Sequence, residues 1–277
     1  MNKRKFRWDF WNVVTLAIIV LFIICLIYPL LNLFLSGFKE TTRVDGQDIS
    51  VWTMANYAKF FAKKYYTSAL LNSFKLTISV TAVAILLGVP LAYFMSFYKI
   101  KGKGLLEIMF IISMMSPNFI GAYSWILLLG RSGSVTQFLK GFGIHVPSIY
   151  GFGGMLLVFS LKLYPFIYMY VSGALKKIDV ALSEAAESLG CGGIKKVFTV
   201  IMPLVTPTLV AASLLVFMNC MADFGTPALI GEGYRVMPTL VYSEFVGETG
   251  GSANFAACMA TIMVVVTAAV FLIQNGM

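Results

Sequence analysis

The apolar positions of this chain fall into long continuous runs rather than short alternating ones. Six runs occupy about 10–36, 69–98, 105–129, 153–174, 204–225 and 253–274. Each reaches the roughly 18–20 residues that carry a helix across a hydrocarbon layer. Barrel strands would instead alternate apolar and polar residues over short segments. The pattern predicts an all-α integral membrane protein with six transmembrane helices, residues 10–277 forming the membrane domain behind a basic N-terminus at 1–9.

The runs are separated by a polar loop at 37–68, a "KIKGKG" turn at 99–104, Gly-rich loops at 130–152 and 226–252, and a polar stretch at 175–203. That last stretch has a helical period. Ile178, Leu182, Ala185 and Leu189 share one face, while Lys177, Glu184, Glu187 and Ser188 occupy the rest. A short amphipathic helix over 176–189 is predicted, ended by Gly190, Gly192 and Gly193, because Gly readily takes the left-handed cap conformation. Ile194, Val197, Phe198 and Ile201 then restart an apolar face leading into Pro203 and the fifth run. On these residues alone, the helix–bend–helix could lie in the lipid interface, pack on its own bundle, or enter a groove on a partner.

Composition agrees with the membrane reading. The chain is 59% hydrophobic and 12% charged, with a mean hydropathy of +0.85; soluble domains carry about twice that charge. The net charge of +9 does not point to nucleic acid, since Lys and Arg sit at run ends and in loops. With the N-terminus in the cytoplasm, the inner segments 1–7, 99–104 and 175–203 hold eleven Lys and Arg against eight in the outer loops. The positive-inside rule favours that orientation. Lys3, Arg4, Lys5 and Arg7 precede an apolar run too long for a signal-peptide core and without a small-residue cleavage site, so it reads as an uncleaved first helix. Prolines 29, 90, 117, 165, 203, 207 and 227 fall in or beside the runs, as suits helices bent around a pathway or ordinary membrane-helix composition. The last run ends at "FLIQNGM", so the chain is read either as ending flush with the membrane or as part of a longer one.

Candidate chemistry is sparse. Cys25, Cys191, Cys220 and Cys258 have no metal-ligand or disulfide-framework spacing, and His145 is the sole histidine, read as a loop residue. No metal site is expected. Neither "GFGIHVPSIYGFGG" nor "GCGG" is a phosphate cradle, and no G-x-x-x-x-G-K-[ST] or H-E-x-x-H occurs, so the chain is not read as an enzyme. Asp223 is the main intramembrane carboxylate, with Asn219 one helical turn away. About twenty residues beyond Pro203, at roughly 1.5 Å each, it is expected near the outer interface, as a pathway or gating residue or a solvated helix end. Lys75 and Lys162 are read as snorkelling near outer run ends, with attraction of an anionic substrate as the other reading. Glu107 suits the dipole at the start of the third helix. Glu232, Glu244 and Glu248, with Tyr234 and Tyr242, make the last outer loop acidic and aromatic, suited to a binding protein, a cation or solvent alone. An ion-coupled secondary transporter would show charges deep in several spans or paired broken helices, and the sequence offers only Asp223.

The polar stretch carries one further pattern: Glu184-Ala185-Ala186, three residues, Gly190, nine residues, Val200, then Met202-Pro203. It resembles the EAA loop of ATP-binding cassette (ABC) importer permeases, with Met in place of the usual Leu before the proline. "NSFKLTISVTAVAILLGVPLAYFMSF" at 72–97 resembles the second helix of that family. "SPNFIGAYSWILLLGRSG" at 116–133 and "ADFGTPALIG" at 222–231 resemble its ferric-iron branch, which has polyamine, thiamine and phosphonate relatives. The resemblance implies the type I permease fold and a coupling helix carrying Glu184, Ala185, Ala186, Gly190 and Pro203. It implies a cytoplasmic ABC ATPase dimer that binds the ATP and Mg, an extracytoplasmic substrate-binding protein, and a second permease half in the same chain or another. It places the protein in the bacterial inner membrane, surrounded by lipid, with ferric iron as the expected substrate. Members often carry two six-helix halves in one polypeptide, which makes this chain a candidate first half.

Overall fold

A computed structural model describes residues 10–44, 47–145, 147–247 and 252–275. The basic residues at 3–7 lie outside the described residues, as does Glu248. The described residues fall into two compact units, one up to Lys64 together with Val241–Val266, the other Tyr65–Leu240 with the chain beyond Thr267.

In the first unit, helix α1 (Phe10–Gly37) is apolar all round and buries only Gly37. That is expected of a helix solvated by lipid rather than by protein. An antiparallel hairpin follows, β1 (Lys39–Val44) and β2 (Gln47–Trp52), with Lys39 opposite Trp52. Helix α2 (Ala55–Ala62) anchors it: buried Asn56 donates to the carbonyls of Gly37 and Lys39 at 3.2 and 2.9 Å. The loop expected at 37–68 is thus a hairpin, a short helix and the start of α3 (Lys64–Phe97), a local β element within the helical class.

The second unit is built around α7 (Phe152–Leu175), which buries Met155, Val158, Phe159, Leu163, Ile167 and Val171. Helix α3 turns a stripe at four-residue spacing toward the core, Leu76, Val80, Ala84, Gly88 and Ala92. Gly88 lets it approach α7 closely. A Cβ there would stand 2.7 Å from Ile167 Cβ and 2.9 Å from the Tyr164 carbonyl oxygen.

The third span differs from expectation. The continuous helix predicted over 105–129 is two helices, α4 (Lys103–Met115) and α5 (Asn118–Leu129), with α6 (Ser134–Gly141) beyond; the two parts bend by 109°. Pro117 is the cause. It holds Ser116 extended (φ −63°, ψ 125°) and has no N–H to continue the helix. Thirteen residues of α4 cover about 20 Å, less than a hydrocarbon core of roughly 30 Å. Among the described residues five helices are long and apolar enough to cross a membrane, and six if the bent pair counts as one span.

The fifth span is longer than expected. Helix α8 (Val180–Ser188) is followed by α9 (Gly193–Lys196), a π-helical turn (Val197–Ile201) and α10 (Met202–Ala222). These last three run on without a break from 193, not 204. Short α11 (Gly225–Ile230), α12 (Met237–Val246) and the final helix α13 (Ala253–Asn275) complete the chain.

Gly88→Ala should destabilise the protein by about 1–3 kcal/mol through overpacking, seen as a lower thermal-unfolding midpoint in detergent. An unchanged midpoint would show that α3 and α7 separate freely.

Candidate functional site

Two features stand out, at opposite ends of α10. The first is the α8 segment. Helix α7 ends at Leu175, and Asp179 caps the next helix by accepting the Ala181 N–H at 3.0 Å. At the other end the Gly190 N–H reaches the Glu187 carbonyl (2.9 Å) and the Cys191 N–H the Ala186 carbonyl (2.9 Å). This double closure needs a left-handed residue, and Gly190 has φ +78°. The predicted glycine stop is present at the expected residue. The helix itself is shorter than the predicted 176–189, because Lys176–Ile178 form a turn that closes α7.

The apolar face of α8 is only partly covered: Ile178 before it packs against the core, while the residues further along are open. Leu182 is 46% and Leu189 87% exposed, and Ala185 is exposed as well, whereas Ala186 is buried. Glu184 lies in the middle of α8, but its side chain is outside the described residues. Beside the helix a cleft of about 830 Å³ is lined by Tyr170, Ala174, Ile178, Leu182 and Leu204.

Glu187 ties α8 to α9 through Lys196 at 2.5 Å, and that carboxylate holds the Lys196 ammonium above its ordinary pKa. The π turn then accommodates Pro203. A regular helix would drive the proline ring into the Thr199 carbonyl and lose a hydrogen bond. Instead the Met202 N–H bonds five residues back to Val197. From Gly193 to Ala222 the helical path is about 45 Å long.

The second feature lies at its far end. Helix α10 stops at Ala222, and Asp223 is extended (φ −72°, ψ 118°). Its Oδ1 accepts the Thr226 N–H at 3.0 Å and its Oδ2 the Thr226 hydroxyl at 3.4 Å, capping α11. The same Oδ2 lies 3.1 Å from Lys162 Nζ, which also donates to Asn118 Oδ1. The side chains of Lys162 and Asp223 are 15% and 3% exposed. Asn118 opens α5 just after the Pro117 break, and Gly225 sits against it: a Cβ there would lie 3.0 Å from Asn118 Cβ. Two helix breaks are thus joined at one lysine.

This corrects two expectations. Lys162 is the eleventh residue of α7, about 15 Å along the axis from Phe152 and about 20 Å from Leu175. It is not at a helix end, and Asp223 is buried beside it rather than ending a helix in solvent. Asn219 is not brought to Asp223, because the helix that would align them has ended; it is exposed and donates to the Leu215 carbonyl at 2.8 Å. One broken span, α4–α5, is present among the described residues, and it meets the end of the fifth span at this lysine. A buried pair of opposite sign, separated by 61 residues, has no local signature.

The other candidates are dispersed. Glu107 accepts from Tyr168 at 3.1 Å and lies 3.8 Å from Lys176, joining α4 to the end of α7 rather than serving only a helix dipole. Lys75 is exposed, 5.9 Å from the Phe152 ring. Glu232 is held by both oxygens on Arg131, at 2.9 and 2.7 Å, and the Tyr234 hydroxyl donates to the Asn72 carbonyl. Tyr242 and Glu244 fall in α12, and His145 is exposed in a loop. Among the described residues no group of three His, Cys, Asp or Glu could hold a metal.

Residues 84–277 match the family described as the binding-protein-dependent transport system inner membrane component. The ferric transport system permease protein FbpB of Actinobacillus pleuropneumoniae is 28% identical over 262 residues, 94% of this chain and 37% of that protein. The spermidine/putrescine transport system permease protein PotB of Salmonella typhimurium is 30% identical over 240 residues, 85% of this chain and 81% of that protein. This chain spans about two fifths of the length of the ferric-transport relatives it matches. Among solved structures, a bacterial alginate ABC transporter in complex with an alginate-bound periplasmic protein has a chain of the same fold (TM-score 0.76, 17% identity, 96% of this chain and 93% of that one). The MetNI methionine ABC transporter, in an inward-facing conformation, gives a TM-score of 0.58 at 17% identity over 77% of this chain and 96% of that one.

Lys162→Met leaves Asp223 buried without its counter-charge and should cost about 3–5 kcal/mol, whereas Lys162→Met with Asp223→Asn should recover most of that loss. Thermal unfolding in detergent measures both. Equal stability of the single variant and the parent would show that the pair is not an ion pair.

Proposed function

Because the chain belongs to the binding-protein-dependent transport inner membrane component family, we propose that it is the membrane-spanning permease part of an ATP-driven importer. It lines a substrate pathway with a second permease half, which lies in the same polypeptide, a second copy or a paralogue. It sits in the bacterial inner membrane with its N-terminus and α8 on the cytoplasmic side. An extracytoplasmic binding protein delivers the substrate. A cytoplasmic ABC ATPase dimer binds ATP and Mg, and this chain hydrolyses nothing itself.

The observation that carries this reading is the outward face of α8. A capped helix that shows Leu182, Ala185 and Leu189 to solvent at the end of a long helical path is suited to be gripped. Glu184, Ala185 and Ala186 form its middle, Gly190 its stop, and Pro203 the joint to α10. In this reading ATP binding closes the ATPase dimer, draws two such helices together, and swings the permease from inward-open to outward-open. Asn219 and Asp223 belong to the pathway or its gate, Asn219 by its exposure on α10 and Asp223 as the hinge of the α10–α11 break.

Ferric iron is the proposed cargo, supported by the ferric-transport relatives. A polyamine is the second reading, supported by the spermidine/putrescine relative. Phosphonate and thiamine systems are the remaining branch members that the sequence resembles. Broken helices around an ion pair also suit ion-coupled carriers, but that reading gives the exposed face of α8 no role.

Leu189→Asp tests the docking face without touching the interior. Affinity for the ATPase should fall about tenfold or more, roughly 1.4 kcal/mol, in co-purification and in substrate-stimulated ATP hydrolysis. Gly190→Val, strained at positive φ, and Glu184→Ala should uncouple in the same assays. Normal assembly and coupled hydrolysis in all three would sink the assignment.

A further inference from the structure

Resting on the permease reading above, we infer that Lys162 is a specificity-determining residue of the pathway. It supplies a donor to an anionic or oxygen-rich group on the passing substrate, with Asp223 as its fixed counter-ion.

The ammonium has three N–H donors. Asn118 Oδ1 and Asp223 Oδ2 take two, and no third protein partner occurs among the described residues. The two charges are not equivalent. Asp223 is nearly closed off, with both oxygens engaged by Thr226 and one of them also by Lys162. Lys162 is the more exposed of the two and is covered by Asn118, itself exposed. A cationic substrate approaching this point meets an ammonium, and the carboxylate that could attract it lies behind. An anion meets one spare donor and the Asn118 amide. Phe119 and Phe224, with rings 5.7 Å apart, stand beside the two breaks.

Stability alone does not account for the pair. A buried ion pair is often no better than well-packed apolar residues, and a charge at mid-depth in a membrane marks a substrate or ion pathway by default. Asp223 caps α11, a duty that an uncharged Asn could share, and Lys162 joins α5 to that cap with two of its three donors, which leaves the third without a structural use among the described residues. Among the described residues no other charged side chain contacts the ammonium. The chemistry therefore favours a substrate that crosses with its negative oxygens, such as a ferric ion still bound to an oxygen-donor anion, over a bare polyamine or thiazolium cation.

The test uses the complete transporter, full-length permease with its ATPase and binding protein, in proteoliposomes. Uptake of two anionic probes, ferric citrate and methylphosphonate, is compared with that of two cationic ones, spermidine and thiamine. The parent should move an anionic probe. Lys162→Met with Asp223→Asn, confirmed as assembled by co-purification, should lose about tenfold or more of that uptake, as expected for one charge-assisted hydrogen bond. Lys162→Arg should retain most of it. Uptake of only a cationic probe by the parent would overturn the inference and leave the permease reading standing. So would full anion uptake by the neutral pair. ATP hydrolysis never linked to any probe in the parent would overturn the permease reading itself, and this inference with it.

Discussion

A lysine ammonium and an aspartate carboxylate held 3.1 Å apart at the middle of α7 set the terms for the rest of this unit. Neither charge tolerates hydrocarbon alone, and the attraction between them is useful only if the remaining polar valences are also filled. That requirement draws three helices to one point. Lys162 comes from the unbroken α7, Asn118 from the first residue of α5, and Asp223 from the residue after α10. The two breaks expose backbone groups that lipid could not satisfy. Asp223 answers part of that need by accepting the Thr226 N–H, and Gly225 lets the α11 turn close onto Asn118. Breaks and charges thus stabilise one another: each would be costly without the other.

The same node is one end of a mechanical path. Helix α7 leads from Lys162 to the turn before α8, and the α9–α10 rod leads from the end of α8 back to Asp223. The loop is closed by packing between α7 and α10 and by the Glu187–Lys196 pair. Its compliant points are identifiable. Gly190 ends α8 in a left-handed conformation, and the π turn before Pro203 relaxes the helix where a regular ladder could not persist. On the permease reading, a pull on α8 would be carried by the stiff helices and absorbed at these joints.

Much of this was legible from periodicity and spacing. The apolar runs locate five of the six spans, and the offset from Glu184 to Gly190 locates the helix stop to the residue, because a left-handed cap is a local, nearly Gly-specific demand. Two things were obscured. Pro117 is visible as a breaker, yet membrane helices often absorb a proline as a kink, so the full bend of the third span depended on what Asn118 meets after the break. The pairing of Asp223 was hidden because its partners, Lys162 and Asn118, lie on other helices far away in sequence, and because the π turn carries the fifth helix through Pro203 from Gly193. The hairpin at 39–52 left a trace in Asp45-Gly46, a dipeptide favoured in tight hairpins, though those two residues lie outside the described ones.

The bent third span is also tied at a second level. Glu107 near the start of α4 accepts from Tyr168 and faces Lys176, close to the point where α7 gives way to α8. Asn118, just past the bend, is bound to Lys162. Helix α4 is therefore pinned to α7 near the start of α8, and α5 at the ion pair, with Pro117 between the two attachments. The α4 attachment is a part-buried hydrogen bond to Tyr168 and a partly exposed ion pair with Lys176 of modest strength. The α5 attachment is the Lys162–Asn118 hydrogen bond, exposed at Asn118 and backed by the buried Lys162–Asp223 pair. With both parts of the span held, the extended residue before Pro117 is the point at which their angle can change. On the permease reading, a displacement at α8 would reach the ion pair through this bend.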